Sequence, residues 1–230
     1  MLATPAVPML ASFCAASIAA GSAGTAAAAP PAKGAWRPIE GQHYEKLSTP
    51  IASSADGRIE VVEFFWLACG HCRTFDPLLE SWHAQRREVV SLRRIHIAGR
   101  AQVAAHQRMF FALQSLGVQE QLRPRVFELL IEQRKPMNTP QEQAAALADT
   151  GLDAKRFMEA CQSFSVAAKC QRANQLQERA DVVTVPMLMV GGRFKTSPGM
   201  AGRGAQMSEI ESGRRALEVV DALIAGPLRG

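Results

Sequence analysis

The spacing of hydrophobic and polar positions along the chain predicts strands and helices in a definite order. The apolar, β-branched and aromatic run at residues 59–65 has the length of a buried central strand. A helix containing Pro77 should follow, because apolar side chains recur there at helical spacing: Phe75, Leu78, Leu79 and Trp82. Residues 89–98 predict a second strand, and residues 43–48 a short edge strand.

The pattern is helical from about residue 101 to about residue 180, with a helix end at Gly117 and a break near Ser163. Strand signals return at residues 187–190, and a two-residue Gly-Gly turn should lead into a strand at 193–196. A last helix is predicted from the apolar positions that share one face: Ile210, Leu217, Val220, Leu223 and Ile224.

The predicted order is strand, helix, strand, helical block, two strands and helix, which is the order of a thioredoxin fold. The fold class is therefore α/β, a thioredoxin fold with an inserted all-helical subdomain. The boundaries we assign are a signal peptide at 1–29, a connector and edge strand at 30–57, the first half of the fold at 58–100, the helical subdomain at 101–180 and the second half at 181–230.

The leader differs from the rest of the chain because its first 31 residues carry no charged side chain and are rich in Ala, Ser and Gly. Small residues before a proline suit signal-peptidase cleavage, so we predict export. The leader has no Lys or Arg at its start and a weak apolar part, so a disordered Ala-rich leader or a wrongly assigned start codon stays open. Nowhere does a run of large apolar residues reach the length of a transmembrane helix.

Charge and composition exclude some functions. The net charge of +5 comes from scattered Lys and Arg, and aromatic residues make up only 6% of the chain, so we predict no nucleic-acid partner. Of the five cysteines, Cys14 lies in the leader. The four that remain are an even number, which fits an oxidising compartment.

The Cys69-Gly70-His71-Cys72 segment carries the clearest chemistry. A C-x-x-C pair can bind zinc, attach haem or exchange disulfides. Zinc would need a second ligand pair, which the sequence lacks, and haem would need a histidine where Arg73 stands. The motif sits at a predicted strand-to-helix junction, which favours a redox pair over a metal site or an inert structural disulfide.

The helix start gives three residues of this motif a predicted role. The partial positive charge of a helix N-terminus favours the Cys69 thiolate, and Cys72, one turn further on, should be the less exposed resolving thiol. His71 can donate a hydrogen bond or lend positive charge to that thiolate, which would stabilise the reduced enzyme and make its disulfide oxidising. The alternative for His71 is an ordinary surface residue.

Five segments together resemble the DsbA family of periplasmic oxidants over residues 41–220. They are GRIEVVEFFWLACGHC, PLLESW, GQHYEKLSTP, SFSVAAKCQRANQL and VTVPMLMVGGRF. The resemblance implies that Cys69 is the attacking cysteine and that a cis peptide bond joins Val185 to Pro186. The Val185 backbone would then bind an extended substrate segment by strand addition. Glu63, within the apolar strand, matches the buried acid of the family, which manages protons during exchange.

The same resemblance implies disulfide donation to reduced exported proteins in the periplasm, and reoxidation by a DsbB-type quinone-linked membrane oxidase. It implies no soluble cofactor and no metal, and we expect a monomer. Many members of the family have proline where this chain has Gly70, and that difference leaves the strength of oxidation open.

Cys161 and Cys170 flank the predicted helix break, where they could form a structural disulfide or pack as small buried side chains. Two rivals to the oxidase prediction remain. One is a reductase or isomerase of related fold, and the other is a periplasmic chaperone or binding module on the same fold.

Overall fold

A five-stranded mixed sheet forms the centre of the protein. The computed structural model describes residues 1–3, 36–53 and 57–228, so the predicted signal peptide lies almost wholly outside the described residues. The strands are β1 (Glu45–Lys46), β2 (Ile59–Phe65), β3 (Val90–His96), β4 (Met187–Val190) and β5 (Phe194–Thr196). Their order across the sheet is β1-β5-β4-β2-β3, with β2 and β3 parallel and the other neighbours antiparallel. This is the predicted thioredoxin arrangement.

Eight α-helices surround the sheet in the described part of the chain. They are α1 (Gly70–Ala84), α2 (Ala101–Ser115), α3 (Gln119–Phe127), α4 (Pro140–Ala146), α5 (Ala154–Gln162), α6 (Phe164–Arg179), α7 (Pro198–Ala201) and α8 (Glu209–Ala225). A π-helical turn, Glu128–Glu132, extends α3. The helices α2 to α6 lie between β3 and β4 in the chain, where the helical block is predicted.

The two faces of the sheet bury separate sets of apolar side chains. On one face, Val61 of β2 packs with residues of α1 and α8. On the other, Val62 and Phe64 pack with the helices of the inserted segment. Burial on both faces explains why β2 is mostly apolar along its whole length. The carboxyl end of this buried strand leads to the start of α1.

Details of the predicted elements differ from the structure. The two-residue hairpin turn is wrong by one residue, because Val190 pairs with Phe194 and three residues lie between them. Gly191 and Gly192 both have positive φ, and a Cβ on Gly192 would lie 1.9 Å from the carbonyl oxygen of Ile51. The predicted edge strand is reduced to β1, which pairs with β5 at the edge of the described sheet.

Candidate active site

Cys69 is both the residue before α1 and its N-cap. Its backbone is extended and its sulfur accepts a hydrogen bond from the backbone N–H of Cys72 at 3.3 Å. The sulfur therefore occupies the place where helices usually have a serine or aspartate oxygen, and the positive end of the helix dipole faces it. Cys69 is half-buried and Cys72 is buried, as expected for an attacking and a resolving thiol.

The two sulfurs have opposite acidities. A hydrogen bond from the Cys72 thiol, helped by the Cys72 backbone N–H and the nearby His71, lowers the pKa of Cys69 to about 6. Burial and the nearby Cys69 sulfur raise the pKa of Cys72 far above its ordinary value. At neutral pH the charge of the reduced pair therefore resides on Cys69, the more exposed sulfur of the two.

The segment before Cys69 is held by two buried histidines. His96 accepts a hydrogen bond from the Leu67 backbone N–H at 3.3 Å, while its Nδ1 contacts the Ile97 carbonyl. His106 accepts a hydrogen bond from the Trp66 indole at 3.1 Å. Burial lowers the pKa of both histidines, that of His96 to about 3, so both act as neutral acceptors. No motif or metal-ligand spacing in the sequence marks these two histidines for this positioning role.

Glu63 lies on β2 with its side chain fully buried, as the resemblance implies. In the parallel pairing of β2 with β3 its partner is Arg94, whose Nε is 2.9 Å from the Glu63 carboxylate. Burial raises the pKa of Glu63 to about 7 although Arg94 opposes the shift. The charge of Glu63 also contributes to the raised pKa of Cys72. Glu63 is therefore a carboxyl group that can hold or release a proton near neutral pH.

The Val185–Pro186 peptide bond is cis, and it lies beside the cysteines. The Cys69 thiol is 3.9 Å from the Val185 carbonyl oxygen, a residue 116 positions further along the chain. Next to it is a groove of about 440 Å³ with largely apolar walls, which include Phe75, Pro186, Pro198 and Met207. His71 and Glu209 also line this groove.

The sequence reasoning missed the charged partners of the site. The His71 imidazole pairs with Glu209 at the start of α8, and Glu63 pairs with Arg94. Neither partner is marked by a local motif, since Glu209 is 138 positions from His71. The Arg93-Arg94 pair within a strand that is otherwise largely apolar was the one available signal for a buried cation.

Cys161 on α5 is buried in the core, and Cys170 on α6 is half-buried against it. All four cysteines of the described part of the chain are thiols in the structure, so a bridge between Cys161 and Cys170 stays a prediction. Within the described residues there is no cluster of three or more His, Cys, Asp or Glu side chains that could hold a metal ion. None of the described helices is long and apolar enough to cross a bilayer.

Comparison with known proteins agrees with this geometry. The family described as the DSBA-like thioredoxin domain matches residues 60–206. The thiol:disulfide interchange protein DsbA of Burkholderia cepacia is 35% identical over 178 residues, which cover 77% of this chain and 82% of that protein. The protein of the same name from Pseudomonas aeruginosa is 33% identical over 162 residues, covering 70% of this chain and 77% of that protein.

The crystal structure of Pseudomonas aeruginosa DsbA superposes with a TM-score of 0.76 at 30% sequence identity. The superposition covers 83% of this chain and 95% of that one. The structure of a DsbA from Xylella fastidiosa, at 23% identity, has a TM-score of 0.74 and supports the fold alone.

Proposed function

The chain belongs to the family of DSBA-like thioredoxin domains and is a thiol:disulfide oxidoreductase, and on this premise we propose that Cys69 and Cys72 donate a disulfide to exported proteins. The observation that carries the proposal is the contrast between the acidic, accessible Cys69 sulfur and the buried Cys72 sulfur. A stable Cys69 thiolate favours the reduced enzyme, and an enzyme that is stable when reduced readily gives its disulfide away.

The reaction starts from the oxidised enzyme. A substrate thiolate attacks the Cys69 sulfur, the Cys69–Cys72 bond breaks, and Cys72 leaves with the bonding electrons. A second substrate thiolate then attacks the substrate sulfur of the mixed disulfide and releases Cys69 as a thiolate. The substrate loses two electrons and gains a disulfide, and the enzyme keeps those electrons as a thiol and a thiolate.

Glu63 supplies the proton that Cys72 needs when it leaves. A thiolate on buried Cys72 is unfavourable. Glu63, with a pKa raised to about 7, is partly protonated at neutral pH and can give that proton up and later take it back. His71 stabilises the Cys69 thiolate. The Val185 backbone and the cis Pro186 bind an extended substrate strand beside Cys69.

The relatives, which are bacterial DsbA proteins, support a proposal for the location and the partners of the reaction. We place the mature chain in the periplasm as a monomer, acting on reduced exported proteins. A DsbB-type quinone-linked membrane oxidase returns Cys69 and Cys72 to the disulfide.

The direct test is oxidative refolding of a reduced, unfolded protein by the oxidised enzyme. The native enzyme should form substrate disulfides, and Cys69→Ser should lose the activity entirely because no mixed disulfide can form. Cys161→Ser is the matched control and should refold the substrate at the native rate. Activity that survives in Cys69→Ser would support the binding-module alternative instead.

The depressed pKa of Cys69 predicts how oxidising strength depends on pH. The folded, reduced enzyme holds a thiolate from about pH 6 upward, whereas an ordinary cysteine ionises near pH 9. The stabilisation of the reduced form is therefore complete above pH 9 and lost as the pH falls through 6. The equilibrium constant for reduction of the enzyme disulfide by glutathione should therefore grow about fivefold from pH 6 to pH 7 and about ninefold from pH 7 to pH 8. A flat profile would contradict the assignment.

A further inference from the structure

A carboxylate from the last long helix contacts the histidine between the two cysteines. Nδ1 of His71 is 2.7 Å from Oε1 of Glu209, the first residue of α8. The start of that helix is capped by other residues, since Ser208 and Glu211 form a reciprocal capping box. The Glu209 carboxylate is therefore not needed for capping, and it is oriented toward the active site.

The other charges around His71 are arranged so that Glu209 acts on it most directly. On α1 the ring lies next to Cys69 and close to Arg73, but Arg73 forms an ion pair with Glu132 of the π-helical turn. Among the carboxylates that the structure describes, Glu209 is the one in ion-pair contact with the imidazole. Its hydrogen bond and its charge both raise the pKa of His71.

The contact also fixes the histidine tautomer. Because Nδ1 donates its hydrogen to the Glu209 carboxylate, Nε2 is the nitrogen that gains or loses a proton. A positive charge on the ring is one of the causes that lower the pKa of Cys69. The carboxylate, imidazole and sulfur thus form a row of alternating charge across α8 and α1 when Nε2 is protonated.

We propose that Glu209 is a positioning residue, which orients His71 and its positive charge beside Cys69 and thereby makes the active-site disulfide more oxidising. The inference rests on the proposed oxidase function. The direct repulsion between Glu209 and the Cys69 thiolate opposes the effect. This repulsion is weaker than the attraction between Glu209 and His71, because Glu209 contacts the ring and not the sulfur and charge interactions weaken with distance.

The size of the effect is limited by exposure. The His71 side chain is 76% exposed and that of Glu209 44%, so solvent screens their attraction. Exposed ion pairs of this kind change an equilibrium by roughly two- to fivefold. A change of that size is measurable in a redox equilibrium and still leaves the fold intact.

The test is Glu209→Gln, which keeps the shape of the side chain and removes its charge. The equilibrium constant with glutathione at pH 7 should fall about two- to fivefold, and the Cys69 thiolate should titrate at higher pH. The matched control is Glu218→Gln on the same helix, whose partner is Arg215, and it should leave both measurements unchanged. Denaturant unfolding of the oxidised variants establishes that α8 is intact.

A double-mutant cycle with His71→Ala decides whether Glu209 acts through the histidine. In the His71→Ala background, Glu209→Gln should no longer lower the equilibrium constant. The inference is overturned if the substitution has the same effect with and without His71, or none in the native enzyme. Failure of the proposed function is a separate outcome, since the native enzyme itself would then not oxidise a reduced protein.

Discussion

Cys69 combines two functions in one atom, since its sulfur is the proposed reactive group and also the cap of α1. In the reduced state the thiolate accepts the Cys72 N–H and faces the helix dipole. When the sulfur joins Cys72 in a disulfide it loses its negative charge and is a poorer acceptor. Oxidation therefore weakens the start of α1, and this loss is regained when the disulfide is passed to a substrate.

Gly70, the first residue of α1, is a position where proline should stabilise the protein. Cys69 before it is extended, with φ −96° and ψ 117°, as proline requires of its predecessor. A Cβ at Gly70 would meet no atom within 4 Å. Gly70→Pro should therefore raise the free energy of unfolding by about 0.4–1 kcal/mol by restricting the unfolded chain, as measured by urea denaturation of the reduced protein.

Gly117 provides the opposite control. Its φ is +75°, so Gly117→Ala should destabilise the protein although a Cβ there also meets open space. A loss of stability in Gly70→Pro would contradict the prediction.

The residues of the candidate active site could be predicted from sequence where a local pattern marks them. Cys69, His71 and Cys72 form one motif at a helix start. The burial of Glu63, which lies within an apolar run, was implied by the family resemblance. Arg94 and Glu209 could not be found this way, because their contacts depend on strand register and on the packing of α8 against α1.

The strands and helices, too, could be predicted where a hydrophobic pattern marks them. The strand β2 is a mostly apolar run and the helix α1 has a strong apolar periodicity, and their predicted positions are confirmed. The predicted strand at 89–98 is shorter at both ends, because edge residues of a strand have no periodic signal of their own. The π-helical turn at Glu128–Glu132 was not predicted, since its backbone pattern leaves no mark on side-chain spacing.

Ser163 joins α5 to α6 and is the only residue between them, at the predicted helix break. Its hydroxyl accepts the Val166 N–H at 3.2 Å and also contacts the Ala160 carbonyl oxygen at 2.8 Å. Ser163→Ala should lower the free energy of unfolding by about 1 kcal/mol, because it removes an N-cap. Urea denaturation at constant pH would measure the loss.

Ser165, in the first turn of α6, is the matched control because it is exposed. Ser165→Ala should change the free energy of unfolding by less than about 0.5 kcal/mol. Equal losses of stability in the two variants would mean that the Ser163 hydroxyl does not stabilise the junction of α5 and α6 as an N-cap.

At the scale of the whole molecule, the helical segment and the sheet share one hydrophobic core. Val62 and Phe64 of β2 pack in the same cluster as Met109, Phe127 and Phe157 of the inserted helices. Residues 36–230 accordingly form a single compact unit. Sequence order alone predicts an insertion but cannot predict this shared core, because the contacts join positions far apart in the chain.

Buried charges tie the same two parts together. Arg123 of α3 is almost fully buried and donates to Asp76 of α1 at 2.8 Å and to Glu80 at 2.6 Å. Arg94 of β3 also contacts Glu80 at 2.6 Å, and it extends the cluster to Glu63. The network therefore runs from the inserted helices to the acid beneath the active site.

Arg123→Met tests how much this network of buried charges contributes to the free energy of unfolding. The methionine fills most of the volume but leaves the buried Asp76 carboxylate with Arg94, at 3.6 Å, as its one remaining ion-pair partner among the described residues. Breaking a buried ion pair by removing one partner costs about 3–5 kcal/mol, and the remaining arginine should keep the loss near 3 kcal/mol. Arg125→Met, two residues further along α3, removes a more exposed cation and should change stability little.

The loss in Arg123→Met should depend on pH in a direction that a simple packing defect would not produce. Burial already raises the pKa of Asp76, and Arg123 opposes that shift, so its removal raises the pKa further. Ionised Asp76 is then the destabilising form, and protonation relieves it. The difference in unfolding free energy between native protein and variant should therefore be larger at pH 8 than at pH 5. A difference that is the same at both pH values would mean that Arg123 acts through its packing and not through its charge.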